Sequence, residues 1–514
     1  MSGINVGGPV FTVVMAQTTA IRHPAPDVGP WPALFALCLG FFMILVDTTI
    51  VTVATPAIIS DLHADVNSVV WVTSAYLLAY AVPVLITGRL GDRFGPKNLY
   101  LIGLTIFTLA SLWCGLTTSI EMLIVARVFQ GFGAAMMTPQ TMSVITRIFP
   151  AEKRGQAMAL WGATAGVATL VGPILGGVLV DALGWEWIFF INIPVGVLGF
   201  VLAVRLVPSL ETRMHKFDWL GVALSGVGMF LLVFGIQQGH KYHWNGWVLT
   251  SIFGGLVVFA VFVLWQRANR QEPLVPLSLF GDRNFSISSF AISAMSFTAT
   301  AMGFPVMLYA QLVRGYSPLQ SALLFVPMAV MSIILAPIVG RFTDKVHPRV
   351  LTGGGFAITA VSIFAISRVL TADGPVWHIL AGFALLGIGM AGIWAPLAAT
   401  ATRNLPMHLA GAGSGVYNAT RQVGAVLGSA AIAVLIDSRI AAHGLSGGAE
   451  PDGQLQQLPL AVRAPFSSAM SDTLLLPVVI LALGFVSVLF FALPRHLAAR
   501  TTGAPDTSAE PVGA

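Results

Sequence analysis

Three ionisable side chains stand inside otherwise apolar runs: Asp47 in LFALCLGFFMILVDTTIVTVATPAI (34–58), Arg127 in the run 121–146 and Arg421 in the run 410–436. A charge within hydrocarbon is costly, and function is its default reading. A lone carboxylate there can alternate between a protonated form suited to hydrocarbon and an ionised form suited to a guanidinium. Asp47 is the one mid-span carboxylate, so it is the candidate proton carrier. Counted along helices, Asp47 lies about 20 Å from the inner end of its run and Arg127 about 9 Å from the outer end of its own. Both fall in the outer half of a core about 30 Å thick, where a charge pair is geometrically possible. Such a pair is either a static structural element or one that opens to let Asp47 titrate.

Arg127, Gln130, Ala134, Thr138 and Thr141 fall on one helical stripe, and Ser414, Asn418 and Arg421 on another. A polar stripe in a span faces protein or water, so Gln130, Thr138, Asn418, Arg421 and Gln422 are candidate cavity residues. For Asn418 and Gln422, interhelical hydrogen bonding is an equal alternative. Trp161, Trp394, Phe304, Tyr309 and the 18 Met residues offer an adaptable apolar lining.

Long helices must hold these residues. Of 514 residues, 56% are hydrophobic and 9% charged, and mean hydropathy is +0.84. A soluble domain carries about 25% charged residues, so a water-facing globule is excluded. Apolar windows predict helices near 32–57, 69–88, 99–117, 121–146, 156–180, 187–206, 218–238, 246–266, 286–312, 319–340, 350–368, 377–398, 410–436 and 474–493. Most of the 26 Lys and Arg fall on one side of these spans, and only Lys241, Arg314, Arg368, Arg439 and Arg463 on the other. The positive-inside rule then puts both termini in the cytoplasm and explains the basic pI without nucleic acid. Residues 1–30 read as a cytoplasmic leader with no signal-peptide pattern and Met15 as an alternative start; 437–473 reads as a periplasmic loop and 496–514 as a disordered cytoplasmic tail. Cys38 and Cys114 lie in apolar runs, so no disulfide framework, metal cluster or cofactor is expected.

One connection concentrates charge: GRLGDRFGPKN at 88–98. It returns as GRFTDKVHPR at 340–349, matching Gly88, Arg89, Asp92 and Pro96 to Gly340, Arg341, Asp344 and Pro348 at an offset of 252. Gly131, Gly133, Arg147, Pro150 and Gly155 likewise match Gly387, Gly389, Arg403, Pro406 and Gly411 at an offset of 256. Duplicated membrane halves are a transporter architecture with the substrate site near the midplane. The layout is a six-helix half over 31–207, two inserted helices over 208–270 and a second six-helix half over 271–495.

On these motifs the chain resembles the major facilitator superfamily, and within it the fourteen-span drug:proton antiporters of the QacA/EmrB type, over roughly residues 31–495. GRLGDRFGPKN is similar to the family's loop between spans two and three. VDTTIVTVATPAI (46–58) resembles its first-span motif, with Thr55 where Leu is usual. RVFQGFGAAMMTP (127–139), GPILGG (172–177), WIFFINIPVG and LYAQLVRGYSPLQ also read as this branch. The resemblance implies an all-α membrane protein with fourteen transmembrane helices in pseudo-symmetric halves, exporting small-molecule drugs against protons from the bacterial inner membrane.

It also implies that Gly88, Arg89, Asp92, Arg93, Gly95 and Lys97 form a cytoplasmic latch. Asp92 would cap a helix of the other half while Arg89, Arg93 and Lys97 hold carboxylates, favouring the outward-facing state. A positive-inside anchor is the plain alternative. The second copy, with His347 in place of Gly95, reads as degraded. Gly172, Pro173, Gly176 and Gly177 match the antiporter motif, whose kinked, closely packed helix would close the outer gate. The expected partners are drugs, protons and the lipid bilayer, with no nucleic acid, and the expected state is a monomer. No GK dipeptide occurs, so no Walker A loop supplies ATP energy. An importer, a carrier of one dedicated metabolite, and a membrane enzyme or sensor are the alternatives. No paired carboxylates or nucleophile–His arrangement supports the last. Lone Asp47 fits monovalent cations or neutral drugs, and the tenth span has no carboxylate for dications.

Overall fold

The computed structural model describes residues 29–493 except 65, 151, 213–217, 240, 241, 243, 270–272, 407, 408 and 446–456. The expected leader up to residue 28 and the tail lie outside the described residues. Hydrocarbon leaves no water for backbone N–H and C=O groups, so each span must satisfy its own, and the described chain is helical throughout its apolar runs.

The first half holds α1 (Pro30–Asp61), α2 (Val66–Ala81), α3 (Val84–Phe94), α4 (Pro96–Gly115), α5 (Ile120–Ile148), α6 (Arg154–Leu183), α7 (Trp187–Phe190) and α8 (Asn192–Leu206). The inserted pair is α9 (Trp219–Gly239) and α10 (Gly246–Ala268). The second half holds α11 (Arg283–Leu308), α12 (Pro318–Leu323), α13 (Val326–Thr343), α14 (Pro348–Val369), α15 (Val376–Ala391), α16 (Trp394–Arg403), α17 (Ala410–Ala442), α18 (Leu460–Thr473) and α19 (Leu475–Val488). Among the described residues, twelve spans are long and apolar enough to cross a membrane, and a thirteenth is made by residues Trp71–Ala81 and Val84–Phe94, bent by 46°. The 30-residue α6 packs between α1 and α13. Part of its side chains, Pro173 included, lie outside the described residues.

Two boundaries differ from the sequence reading. The charged stretch from Gly88, expected as a connection, is helical to Phe94 as the end of α3, and only Gly95 separates it from α4. The expected loop over 437–473 is shorter, because α17 runs to Ala442 and a single span of 29 residues covers Leu460–Val488. Arg463, Pro465 and Asp472 dilute the hydropathy of its first turns and hide the helix from an apolar window.

Within the first half α1 packs on α6 and α8, and α5 on α2 and α4; in the second, α11 packs on α17 and α19, and α14 on α15 and α19. The halves meet where α3 and α5 touch α17 and where α6 touches α13 and α16. The inserted α9 lies against both α2 and α17, joined through Leu78, Met229 and Val233 with Val423 and Val426. A knot around Asp218 ties this pair down: Trp265 Nε1 and Gln266 Nε2 each donate to its carboxylate at 2.8 Å, as does Gly221 N, and Leu274 N does so at 3.3 Å. Burial alone would push this carboxyl up, but the donors outweigh it and hold it below the usual value. Outward-facing Leu109, Val178, Phe253, Val257, Leu264, Val361 and Val479 form an apolar surface that suits lipid, not water.

Small residues set the α1–α6 approach. A Cβ at Gly172 would stand 1.9 Å from Thr49 Oγ1 and 3.3 Å from Val46 O, and one at Gly176 2.9 Å from Ile50, whereas one at Gly177 would meet nothing within 4 Å. Gly172→Ala should therefore lower thermal stability in detergent by about 1–3 kcal/mol through overpacking. Gly177→Ala should leave it unchanged or raise it by about 0.5–1 kcal/mol through helix propensity. Equal melting shifts would refute this packing.

Candidate functional site

Asp47 of α1 meets Arg127 of α5, and neither exposes any surface. Arg127 Nη1 donates to Asp47 Oδ2 at 2.6 Å. The other carboxylate oxygen, Oδ1, accepts from Gln130 Nε2 at 2.9 Å and Asn192 Nδ2 at 3.4 Å. Arg127 Nη1 also donates to Gln130 Oε1 at 2.7 Å and its Nε to Val72 O at 3.2 Å, while its guanidinium carbon lies 4.1 Å from the Tyr76 ring centroid. Ser111 Oγ accepts from both Gln130 and Asn192 and donates to Phe189 O. The two charges are matched and both carboxylate oxygens hold donors, so this arrangement suits the ionised carboxylate. Protonating Asp47 would remove the partner of a fully buried guanidinium.

Gln130 thus belongs to this sealed network and not to a cavity, which corrects its placement on the lining stripe. The stripe had put it on the face of Arg127, but a side chain one turn away folds back to complete the acceptor set. Asn192 and Ser111 escaped sequence reasoning. Asn192 is the lone polar residue in WIFFINIPVG, which is the signal that could have found it.

Deeper toward the charged loops, a second group of polar residues bridges the halves. Tyr80 and Thr138 share a hydrogen bond of 3.0 Å, and Arg421 Nη2 reaches Tyr80 Oη at 3.3 Å. The Arg421 guanidinium carbon lies 6.0 Å from the Phe41 ring centroid and 5.8 Å from that of Trp161, and those two rings stack 4.7 Å apart. Asn418 Nδ2 donates to Ser414 O at 2.9 Å and approaches Met142 Sδ across the interface at 3.8 Å. Gln422 is half-buried beside them. Trp394 is half-buried on α16, whereas Tyr309 is buried at the far end with its hydroxyl on Thr371 O, and Phe304 is 58% exposed. The last two do not join this group.

The charged loops close one end of the molecule. Asp92 accepts from Gly411 N at 3.1 Å and Ala412 N at 3.0 Å, at the start of α17, and pairs with Arg147 of α5. A carboxylate at a helix N-terminus meets both the dipole and unsatisfied N–H groups. Gly88 allows the contact, since a Cβ there would stand 2.7 Å from Gly411 O and 2.8 Å from Gly415 Cα.

Two of the three basic residues reach backbone carbonyls. Arg89 donates to Pro273 O at 3.2 Å, with Asp92 at 3.8 Å, and Lys97 donates to Val204 O at 2.7 Å. Arg93 lies over Phe94. For Arg89 the nearer partner is a carbonyl of the segment after α10 and for Lys97 one in the last turn of α8, while the cation tightly paired with Asp92 is Arg147 from the repeat.

The second copy is not degraded. Asp344 accepts from Gly155 N at 3.0 Å, at the start of α6, and pairs with Arg403 at 2.7 Å. The turn is made differently: Gly95 has φ +89°, whereas His347 has φ −58° and caps α14 by accepting from Arg349 N through Nδ1. Arg154 adds bonds to Thr402 O and Arg403 O across the interface.

The sequence matches the Major Facilitator Superfamily over residues 37–429. It is 53% identical to an uncharacterized MFS-type transporter of Mycobacterium tuberculosis over 92% of this chain and 83% of that one. It is 35% identical to the tetracenomycin C resistance and export protein of Streptomyces glaucescens, covering 80% and 77% of the two chains. With the multidrug resistance protein Stp of Mycobacterium tuberculosis it shares 31% identity over 80% of this chain and 76% of that one.

Two outcomes follow from the joined end. Asp92→Asn trades a charged acceptor for an amide and should weaken the joined state by about 1–3 kcal/mol. Spin labels on the two halves at that end should report a larger separated population; an unchanged distance distribution would make the loop an anchor only. Burial pushes the Asp344 carboxyl up to about 6, although Arg403 and the N–H groups of Gly155 and Gln156 act downward. A hydrated carboxyl titrates lower, so the joined state binds the proton more tightly. That contribution is present in acid and lost as pH rises through about 6. The label distances should therefore shift between about pH 5 and about pH 7 in the wild type and shift less in Asp344→Asn, where only the Asp92 carboxyl, also raised by burial, remains to titrate.

Proposed function

This chain belongs to the Major Facilitator Superfamily, and from that premise we propose that it is a proton-coupled exporter of amphipathic drugs that contributes to antibiotic resistance. It is a transporter and not an enzyme. In this reading it has fourteen spans in the inner membrane, with α6 as one of them, both termini in the cytoplasm, and the joined end facing inward. Its relatives that export tetracenomycin C and confer multidrug resistance support the direction and the substrate class.

The observation that carries the reading is the state of Asp47. A fully buried carboxylate with donors on both of its oxygens is a proton acceptor only if the network opens. Export then alternates two arrangements. Ionised Asp47 holds Arg127, Gln130 and Asn192 and draws α1, α5 and α8 together. A proton from outside neutralises Asp47, releases Arg127 and loosens α1, which packs on α6 through Gly172 and Gly176. Discharge of the proton inward restores the pair. About 100 mV is worth about 2.3 kcal/mol per charge, so one proton per neutral molecule sustains roughly a forty-fold gradient.

Asp47→Asn should abolish uphill export and drug-induced proton release from acid-loaded inverted vesicles, while leaving the binding of neutral drugs within a few-fold. Asp47→Glu should retain part of the activity with a displaced pH profile. Undiminished proton-coupled export by the Asn variant would place the proton elsewhere and defeat this reading. Substrate-driven proton uptake by intact cells would replace export by import.

A further inference from the structure

Resting on the export reading above, we propose that the site between the halves selects aromatic organic anions, with Arg421 as the charge that recognises them. The carboxylate that would attract cationic compounds is withdrawn from this site. Asp47 exposes no surface, and its oxygens are taken by Arg127, Gln130 and Asn192. The charge that remains between the halves is positive. Arg421 projects from α17 toward three side chains of the other half, Tyr80, Phe41 and Trp161, and among the described residues no carboxylate pairs with it.

The hydrogen-bond inventory points the same way. Arg421 Nε and Trp161 Nε1 are both buried donors without an acceptor, on side chains that face each other at 5.8 Å. Trp161 is only 2% exposed. An unmet buried donor costs as much as a lost hydrogen bond, so two beside one another favour whatever brings an acceptor. A guanidinium is a planar fork suited to carboxylate and similar anions. The rings of Phe41 and Trp161, inclined by 22°, lie buried beside Arg421, and an aromatic body can take up stacking against them only once the halves part. An ammonium compound would meet the Arg421 guanidinium, which no carboxylate pairs, and the Trp161 N–H, which repel it. Exporting a monoanion against one proton also moves two charges, so its export rises more steeply with membrane potential than that of a neutral analogue.

The test is equilibrium binding to the purified full chain in detergent, using pyrenebutyrate, its methyl ester and pyrenebutylamine, followed by pyrene fluorescence. Wild type should bind the carboxylate about tenfold more tightly than the ester, the effect of one charge-assisted hydrogen bond, and the amine most weakly. Arg421→Gln should erase that preference while keeping ester affinity, and Arg421→Lys should retain part of it. Trp161→Phe keeps the ring and removes the N–H, so it should lower carboxylate affinity and spare the ester. Amine binding at or above the carboxylate in wild type overturns the proposal, as does an intact carboxylate preference in Arg421→Gln. Should the Gln variant not fold, the wild-type series and Trp161→Phe still decide. Binding needs no gradient, so an anion preference in a protein that moves no drug in vesicles would sink the export reading and leave this site standing.

Discussion

A carboxylate and a guanidinium brought out of water must find each other and then find further donors and acceptors, because the Coulomb gain alone does not cover their desolvation. Asp47 and Arg127 meet that demand with side chains or carbonyls from α1, α2, α4, α5, α7 and α8. Six of the eight helices of the first half thus meet around one pair. Its packing, not only its local chemistry, is tied to the charge on Asp47. Removing one partner of such a pair generally costs about 3–5 kcal/mol, since the other is left buried and uncompensated. A protonation event at that point is therefore felt by every helix that contributes a ligand.

The joined end obeys the same logic with a different acceptor. Each half lends a carboxylate to the helix that opens in the other: Asp92 to α17 and Asp344 to α6. Each carboxylate is neutralised by an arginine of its own half, Arg147 or Arg403. Because the arrangement is reciprocal, neither half can leave without uncovering N–H groups and a charge on both sides. Glycine at the crossings, Gly88 against Gly411 and Gly415, lets the backbones come close enough for it.

The inserted pair is neither a loose appendage nor a third domain. α9 covers the seam between α2 and α17, and the Asp218 knot holds α9, α10 and the segment at Leu274 and Val275 in one piece. Arg89 reaches Pro273 O in that same segment, so the charged stretch from Gly88 and the inserted pair share an anchor. α10 buries little of its length and turns most of its apolar surface outward.

Much was legible along the chain because hydrocarbon makes its demands locally. A span must satisfy its own backbone, so apolar runs, their breaks, the internal repeat and the rarity of mid-span charge were all written in consecutive residues. On that basis Asp47, Arg127 and Asp92 stood out as charges with no place in hydrocarbon or crowded into one connection. The sequence could not say which donors they would meet. Gln130 looked like lining and is a ligand of the network; Asn192 lies 145 residues from Asp47 and Gly411 319 from Asp92. The helix at Leu460 was hidden by a few polar residues, and His347 looked like damage although it caps α14. Sequence by itself determined the medium, the helices and the duplicated plan, because these follow from transfer energies counted over neighbouring residues. Only the tertiary structure decided which charges are sealed and which face the interface between halves, because hydrogen-bond partners across helices depend on distances that no spacing along the chain encodes.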